Sequence, residues 1–520
     1  MDDRLHQALA LLPERLGWHV ALSAAALALG LLIALPLGVL AARHPRLRWV
    51  SLSLAGLVQT IPSLALLALF FPLLLLLSGL SERMLGHGFS ALGFLPSLLA
   101  LTLYSMLPIL RNTAAGLTGV DPAVVEAARG VGMTDRQRLW RVELPLALPV
   151  IMAGVRTAAV WTIGAATLST PVGQTSLGDY IFSGLQTEDW VAVLVGCAAS
   201  AALAMVVDQL LGLIESGVGQ RKRGRWIAGV AGLAIGLVAA LTPLAGGTLS
   251  RGQPGYVIGA KNFSEQYVLA ELMAGKLEAR GARVERRINL GSAVAYRALA
   301  AGEIDAYVDY SGTLWANVLG RKDNPGRQAL LDQLRAGLKD RDGVVLLAPL
   351  GFENAYALAM RRDRAEALGI KTLADLAAKG SGLTMGGDLE FFSRPEWTGV
   401  EQTYGLKFRA RRQFQPTFMY RALASGEADV ISAFSSDGRI AADDLVLLGD
   451  PKGALPPYDA VILVSPKRAG DRRLIAALAP LAGSIDVAAM QAANYAIDRD
   501  TGKLSAAQAA KMLEPQASTQ

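Results

Sequence analysis

Hydrophobic positions change their spacing abruptly near residue 250. Upstream they run together in long stretches, 18–42, 49–79, 92–116, 146–170, 190–214 and 226–249. Each is of the order of the roughly 20 apolar residues that cross a bilayer core. One such stretch could be a buried core helix, but six in succession predict a multi-pass membrane domain. Pro62 and Pro72 interrupt the second, which predicts one broken or kinked helix rather than two spans. The first is too long for a signal peptide, lacks a small-residue cleavage site and is followed by Arg43, Arg46 and Arg48. Downstream of Arg251 the apolar runs shorten to strand length (257–260, 284–290, 306–310, 344–347, 461–464) and alternate with helical stretches. That alternation predicts a soluble α/β domain.

Charge orients the spans. Arg43, Arg46 and Arg48 follow the first. Arg111 falls near the end of the third, Arg129, Arg136, Arg138 and Arg141 lie between the third and fourth, and Arg221, Lys222, Arg223 and Arg225 precede the sixth. With alternating spans all three clusters share one face, expected to be cytoplasmic. The opposite loops hold Arg83 with Glu82, Asp179, Glu188 and Asp189. An outside N-terminus and six crossings then bring the chain from Arg251 onward out on the extracytoplasmic side. Charged residues make up 18% of the chain, against about a quarter in soluble proteins. The net charge of +6 divides equally between the halves and gives no argument for nucleic acid. His6, His19, His44, His87 and the single Cys197 all fall in the membrane half. This excludes Ser-His-Asp, Cys-His, HExxH and Cys/His zinc chemistry from the soluble half, and disulfides throughout. There is no GxxxxGK[ST] loop, so ATP hydrolysis by the Walker mechanism is excluded, and no cofactor is expected in this chain.

The loop after the third span reads Glu126-Ala127-Ala128, then Gly132, then Val142, Leu144 and Pro145. Asp121-Pro122 predicts the start of a short helix, Gly132 a break, and 134–140 a second amphipathic stretch. This resembles the EAA loop of ABC-importer permeases, with Val142 where that motif has Ile. QTIPSLALLAL (59–69) and LYSMLPILRNTAAGL (103–117) extend the resemblance to permeases of osmoprotectant ABC importers over roughly 20–215. The resemblance implies a type I ABC-importer permease domain over 1–220, its coupling loop at 121–145. It also implies a permease homodimer and a separate cytoplasmic ATPase seated on 126–139. A sixth helix and linker would fill 221–254. Pro62 and Pro108 either line a pathway or kink helices for packing.

The soluble half contains a repeat. YRALAAGEIDAYVDYSG (296–312) and YRALASGEADVISAFSSDG (420–438) share Tyr-Arg-Ala-Leu-Ala, Gly-Glu and Asp in register. Each reads as a helix ended by Gly302 or Gly426, then a strand, then a turn. Two similar lobes follow, about 255–356 with 460–520, and 361–456. The crossing strands are expected at 356–360 and 458–462. Ligands of open α/β sheets sit beyond the carboxyl ends of strands, where Tyr310, Tyr356, Tyr458 and Phe434 are expected. Aromatic faces attract a quaternary ammonium through their quadrupole.

GAKNFSEQY (259–267), DYSGT (309–313), GFENAYALAM (351–360), FSRPEW (392–397) and PPYDA (456–460) resemble osmoprotectant-binding proteins for glycine betaine, choline and carnitine. The likeness implies a two-lobed α/β periplasmic-binding-protein fold (class II, venus flytrap) over 255–520. Tyr310, Tyr356, Phe434 and Tyr458 would form an aromatic cage. Lys261, Thr313 and Arg394 would hold a ligand carboxylate, with Asn354 orienting the cage. Arginine suits that task because its planar fork donates two parallel hydrogen bonds. An ion pair of Arg394 with Glu390 or Glu396 is the alternative reading. The chain departs from the family pattern at YSGT, ENAY and Phe434. Ergothioneine, a trimethylated histidine thione, satisfies the same cage and clamp. The expected function is an inner-membrane permease fused to its extracytoplasmic binding domain, importing a quaternary-ammonium zwitterion without catalytic activity of its own. A ligand sensor without transport and an importer of an ordinary amino acid remain the alternatives.

Overall fold

The computed structural model describes residues 2–187, 189–220, 222–250, 255–321, 323–414, 416–499 and 501–514. Glu188, Arg221, the linker 251–254 and the chain beyond 514 lie outside them. Two compact units divide near residue 254.

The first unit is helical: α1 (Asp2–Arg43), α2 (Pro45–Thr60), α3 (Ser63–Leu85), α4 (Phe94–Thr118), α5 (Pro122–Gly130), α6 (Asp135–Arg138), α7 (Leu144–Ala166), α8 (Gly178–Gln186), α9 (Trp190–Gly219) and α10 (Arg223–Ser250). Among the described residues six helical segments are long and apolar enough to cross a membrane: Arg4–Arg43, Ser63–Leu85, Phe94–Thr118, Asp135–Val172, Trp190–Gly219 and Arg223–Leu244. At about 1.5 Å per residue, α1 is far longer than the ~30 Å apolar core. Its early turns are tied down instead by the Tyr180 hydroxyl, which donates to the Ala8 carbonyl at 2.5 Å. Helix α4 lies between α1 and α7 and buries small and hydroxyl residues, among them Ser97, Ala100, Thr102, Ser105, Thr113 and Gly116. Small residues let helices approach closely where lipid offers no hydrophobic drive.

The 49–79 stretch is cut at Ile61-Pro62 into α2 and α3, whereas Pro72 is carried inside α3 without a break. The cut is held by a reciprocal clasp with α4. Tyr104 Oη donates to the Ile61 carbonyl. Pro108 cannot donate to the Tyr104 carbonyl four residues earlier, and Gln59 Nε2 takes that acceptor at 3.2 Å. Each proline therefore frees backbone that the other segment satisfies, as an apolar environment requires.

The EAA segment begins at α5, whose N-cap Asp121 accepts from the Ala123 amide at 2.8 Å. Gly132 turns the chain at φ 81°. Thr134 and Gln137 form a capping box for α6, which runs through a wide turn (Leu139–Glu143) into α7 at Leu144 and Pro145. The predicted second amphipathic stretch is thus the first turns of the following span. Glu143 is buried there between two cations: Arg138 Nε donates to it at 2.9 Å, and Arg43, the last residue of α1, also pairs with it. Removing one partner of a buried ion pair strands the other and costs about 3–5 kcal/mol. Glu143→Ala is therefore expected to lower the thermal midpoint of the membrane unit in detergent while the soluble unit's transition stays in place.

The second unit contains two five-stranded sheets. In chain order the strands are β1 (Tyr256–Lys261), β2 (Val284–Leu290), β3 (Ala306–Tyr310), β4 (Val345–Glu353), β5 (Tyr356–Arg361), β6 (Thr384–Gly387), β7 (Ala410–Gln413), β8 (Val430–Phe434), β9 (Leu445–Leu447) and β10 (Asp459–Val464). The sheet orders are β2-β1-β3-β10-β4 and β7-β6-β8-β5-β9. Each sheet joins two parallel pairs to two antiparallel ones in the same sequence, so the duplication extends over the whole sheet. The repeated aspartate has one task in both. Asp305 accepts from the Val257 amide at 2.8 Å and Asp429 from the Thr384 amide at 2.9 Å, holding the start of the neighbouring strand. The crossings differ from expectation. Residues 356–360 lie wholly in the second sheet, and the chain passes between sheets at Asn354–Ala355 and again after β9, before Tyr458. A strand shared by both sheets would need ladder neighbours in each; links that lie outside the strands avoid that demand.

Candidate ligand-binding cleft

Central strands β3 and β8 end on Tyr310 and Phe434. The antiparallel register then sets the other two rings beside them. Tyr356 opens β5 directly opposite Phe434, and Ala460 pairs with Tyr310, which leaves Tyr458 just before β10. Tyr356 lies 4.9 Å from Phe434 and 5.7 Å from Tyr458 between centroids, with the tyrosines nearly perpendicular at 86°. Gly312 is required here: a Cβ would meet Tyr458 Cζ at 2.7 Å. The rings open on a cavity of about 420 Å³ that all four line, with Lys261, Thr313, Asn354 and Arg394. Phe391, absent from the sequence reading, backs Tyr356 at 5.1 Å, and Phe263 stacks on Tyr310 at 6.1 Å.

The charged groups are already matched. Arg394, 8% exposed, caps the helix Pro395–Tyr404 and donates to Glu396 at 3.3 Å, its guanidinium carbon 5.2 Å from the Tyr356 ring centroid. The ion pair with Glu396 thus exists, but in the cleft wall rather than at the surface. Tyr458 Oη donates to the same glutamate. Lys261 is buried and pairs with Asp309, which also accepts from the Tyr307 hydroxyl at 2.5 Å and the Tyr310 amide at 2.7 Å. Its charge is therefore largely spent before any ligand arrives. Thr313 is partly exposed on the wall. Asn354 donates to Glu265 at 3.1 Å, and its backbone amide donates to the Tyr458 carbonyl at 3.0 Å, so it holds the crossing beside the cage.

Glu265 and Asn494 also line the cavity, and neither stood out in the sequence. Glu265 lay unremarked inside NFSEQY, and Asn494 sits in a distant helix (Val487–Asp498) whose spacing carries no signal for a cleft. Burial pushes the Glu265 carboxyl up, opposed by neutral donors. Burial likewise pushes Asp498 from 3.8 to about 7 despite nearby Arg439.

In the membrane unit Glu126 and Ala127 are exposed on α5 while Ala128 is buried. Val124, Val131 and Trp140 add apolar surface at 39%, 75% and 65% exposure, with Gly132 at the turn between them. These are exposed apolar side chains on either side of the Gly132 turn.

A duplicated α/β clamshell with a ring-lined cleft, following a helical bundle with an exposed EAA element, defines a solute-capture domain joined to a transport-type membrane domain. Residues 255–514 match the substrate-binding domain of ABC-type glycine betaine transport systems, and 34–220 match the inner-membrane component of binding-protein-dependent transport systems. The chain belongs to this glycine betaine-type ABC importer family, with permease and substrate-binding domain fused in one polypeptide. It is 28% identical over 82% of its length to the ergothioneine transport permease/ergothioneine binding protein EgtU of Helicobacter pylori (strain G27), covering 76% of that protein. It is 41% identical over 38% of its length to the choline transport system permease protein OpuBB of Bacillus subtilis (strain 168), covering 83% of it. A glycine betaine/carnitine/choline ABC transporter crystal structure aligns with 49% of this chain and 96% of its own, at 28% identity and TM-score 0.45.

The Asp498 value has a direct consequence for stability. Its folded pKa exceeds the free one, so between about pH 4 and 7 the folded state keeps a proton that the unfolded state releases. Stability contributed by this group is complete below that window and is lost as pH rises through about 7. Asp498→Asn is expected to flatten the decline, as read from thermal midpoints across the window.

Proposed function

We propose that this chain captures a zwitterionic quaternary-ammonium solute outside the inner membrane and passes it to a pathway between two permease copies. A separate cytoplasmic ATPase docked on Glu126, Ala127 and the neighbouring apolar patch supplies the energy. The observation that carries this reading is the convergence of Tyr310, Tyr356, Phe434 and Tyr458 beside Arg394 in one cavity. A methylated ammonium offers no hydrogen-bond donor, so π faces suit it, at roughly 0.5–2 kcal/mol per ring. The ligand carboxylate goes to Arg394, which it shares with Glu396, and to Thr313; Lys261, already paired with Asp309, adds field more than a free donor. The candidate zwitterions are glycine betaine, carnitine and ergothioneine; choline, a cation without a carboxylate, would use the rings alone, and all four are named for the relatives. The positive-inside count supports the extracytoplasmic placement, since Arg46, Arg129, Arg136 and Arg223 flank alternating spans on one face.

Calorimetric titration of the purified chain with these solutes and with histidine tests the assignment. Tyr356→Ala is expected to weaken binding by about tenfold or more and Tyr356→Phe only slightly, because the π face survives. Binding of histidine alone would reject the cage. Coupling is tested separately: Glu126→Lys, or a bulky residue at Gly132, should abolish uptake into reconstituted vesicles with solute binding unchanged. Uptake that survives both changes would remove α5 from the energy path.

A further inference from the structure

Deep in the membrane unit, α7 and α9 are joined by three charged side chains. Arg156 grips Asp208 with two parallel hydrogen bonds, Nε to Oδ1 at 2.9 Å and Nη2 to Oδ2 at 2.8 Å, and gives Nη1 to Glu215 Oε2 at 2.8 Å. At about 1.5 Å per residue, Arg156 lies about 18 Å along α7 from Leu144, and Asp208 about 16 Å before α9 ends at Gly219. Both therefore fall well inside a ~30 Å apolar core. The three side chains are nevertheless 33%, 26% and 27% exposed. Thr157 and Gln209, next to them in sequence, are exposed too. Beyond Arg225, by contrast, α10 carries no charged residue. Charged side chains at such depth face protein or water rather than lipid, and they mark solute pathways. A tie between two helices would need one carboxylate for the guanidinium; the second gives the cluster a surplus of negative charge.

We propose that this seam lines the translocation pathway and that the triad is a transit site for the zwitterion, its carboxylates facing the ammonium and its guanidinium the carboxylate. The assignment rests on the reading above, in which a zwitterion passes through the membrane unit. An ion pair open on one side offers both signs of charge to a guest that carries both. Exchange is easy, because the solute's carboxylate replaces one of two that Arg156 already holds. The methylated ammonium has no hydrogen to give, so Asp208 and Glu215 hold it by charge alone. A pathway needs such a grip, strong enough to admit the solute and weak enough to release it. Arg394 with Glu396 in the cleft is the same device, an arginine matched by a carboxylate beside open space. Gly212, one turn after Asp208, leaves room over the guanidinium, whose carbon a Cβ there would meet at 3.5 Å.

The test is thiol labelling of the full-length chain in lipid nanodiscs, with Cys197→Ser removing the native thiol. Gly212→Cys sets a reporter inside the triad at an ordinary contact distance, and Thr157→Cys is a second reporter on α7. Both should react with a methanethiosulfonate that carries a trimethylammonium group. Gly236→Cys on α10, where a Cβ meets nothing within 4 Å, should not. Glu215→Gln should slow the cationic reagent at Gly212→Cys about threefold or more relative to neutral methyl methanethiosulfonate, because the surplus charge that concentrates cations is gone. A merely structural role for Glu215 would change both rates together. The proposal is overturned if both reporters are inert to the cationic reagent, if Gly236→Cys reacts as fast as they do, or if Glu215→Gln slows both reagents equally. Failure of the cage is read separately, from the titration of the cleft.

Discussion

A charge removed from water needs its opposite within a few ångströms, and that constraint orders both halves of this chain. In the membrane unit Glu143 lies between Arg138 and Arg43 and fixes the entry to α7 against the end of α1. In the cleft Arg394 is matched by Glu396 and Lys261 by Asp309. A cleft whose lysine and arginine are matched in advance suits a guest with no net charge. It presents oriented dipoles, π faces and a planar fork, and none of these demands a counter-ion from the solute. The same matching fixes the geometry: Tyr458 is anchored through the glutamate that holds Arg394, and Tyr310 through the one that holds Asn354 and Asn494.

Much of the architecture could be read in the residues because it rests on periodicity and on exact repetition. Apolar runs of bilayer length mark the spans, and the doubled Tyr-Arg-Ala-Leu-Ala with its following aspartate marks matching strands at the centre of each sheet. The cage rings were legible for a related reason: they close or open strands, and strand ends are where open sheets bind. What escaped depends on contacts between distant segments. The clasp of Gln59 and Tyr104 needs two helices to meet before either proline makes sense. Asn494 faces the cleft because a late helix returns to the first sheet, and no local pattern announces it. The short strands β6, β7 and β9 have three or four residues each, too few for an alternation to register.

Neither crossing between the sheets belongs to a long shared strand. One is Asn354–Ala355, immediately before Tyr356, and the other ends at Tyr458. The rings that would grip a guest are thus the residues next to the two pivots. Like fingers placed at the fulcrum of a pair of tongs, they travel little while the distant lips sweep widely. A displacement of a fraction of an ångström between Tyr356 and Tyr458 is amplified with distance from the axis. Were the sheets to turn about these links, an outer rim far from any contact with a guest would move the most.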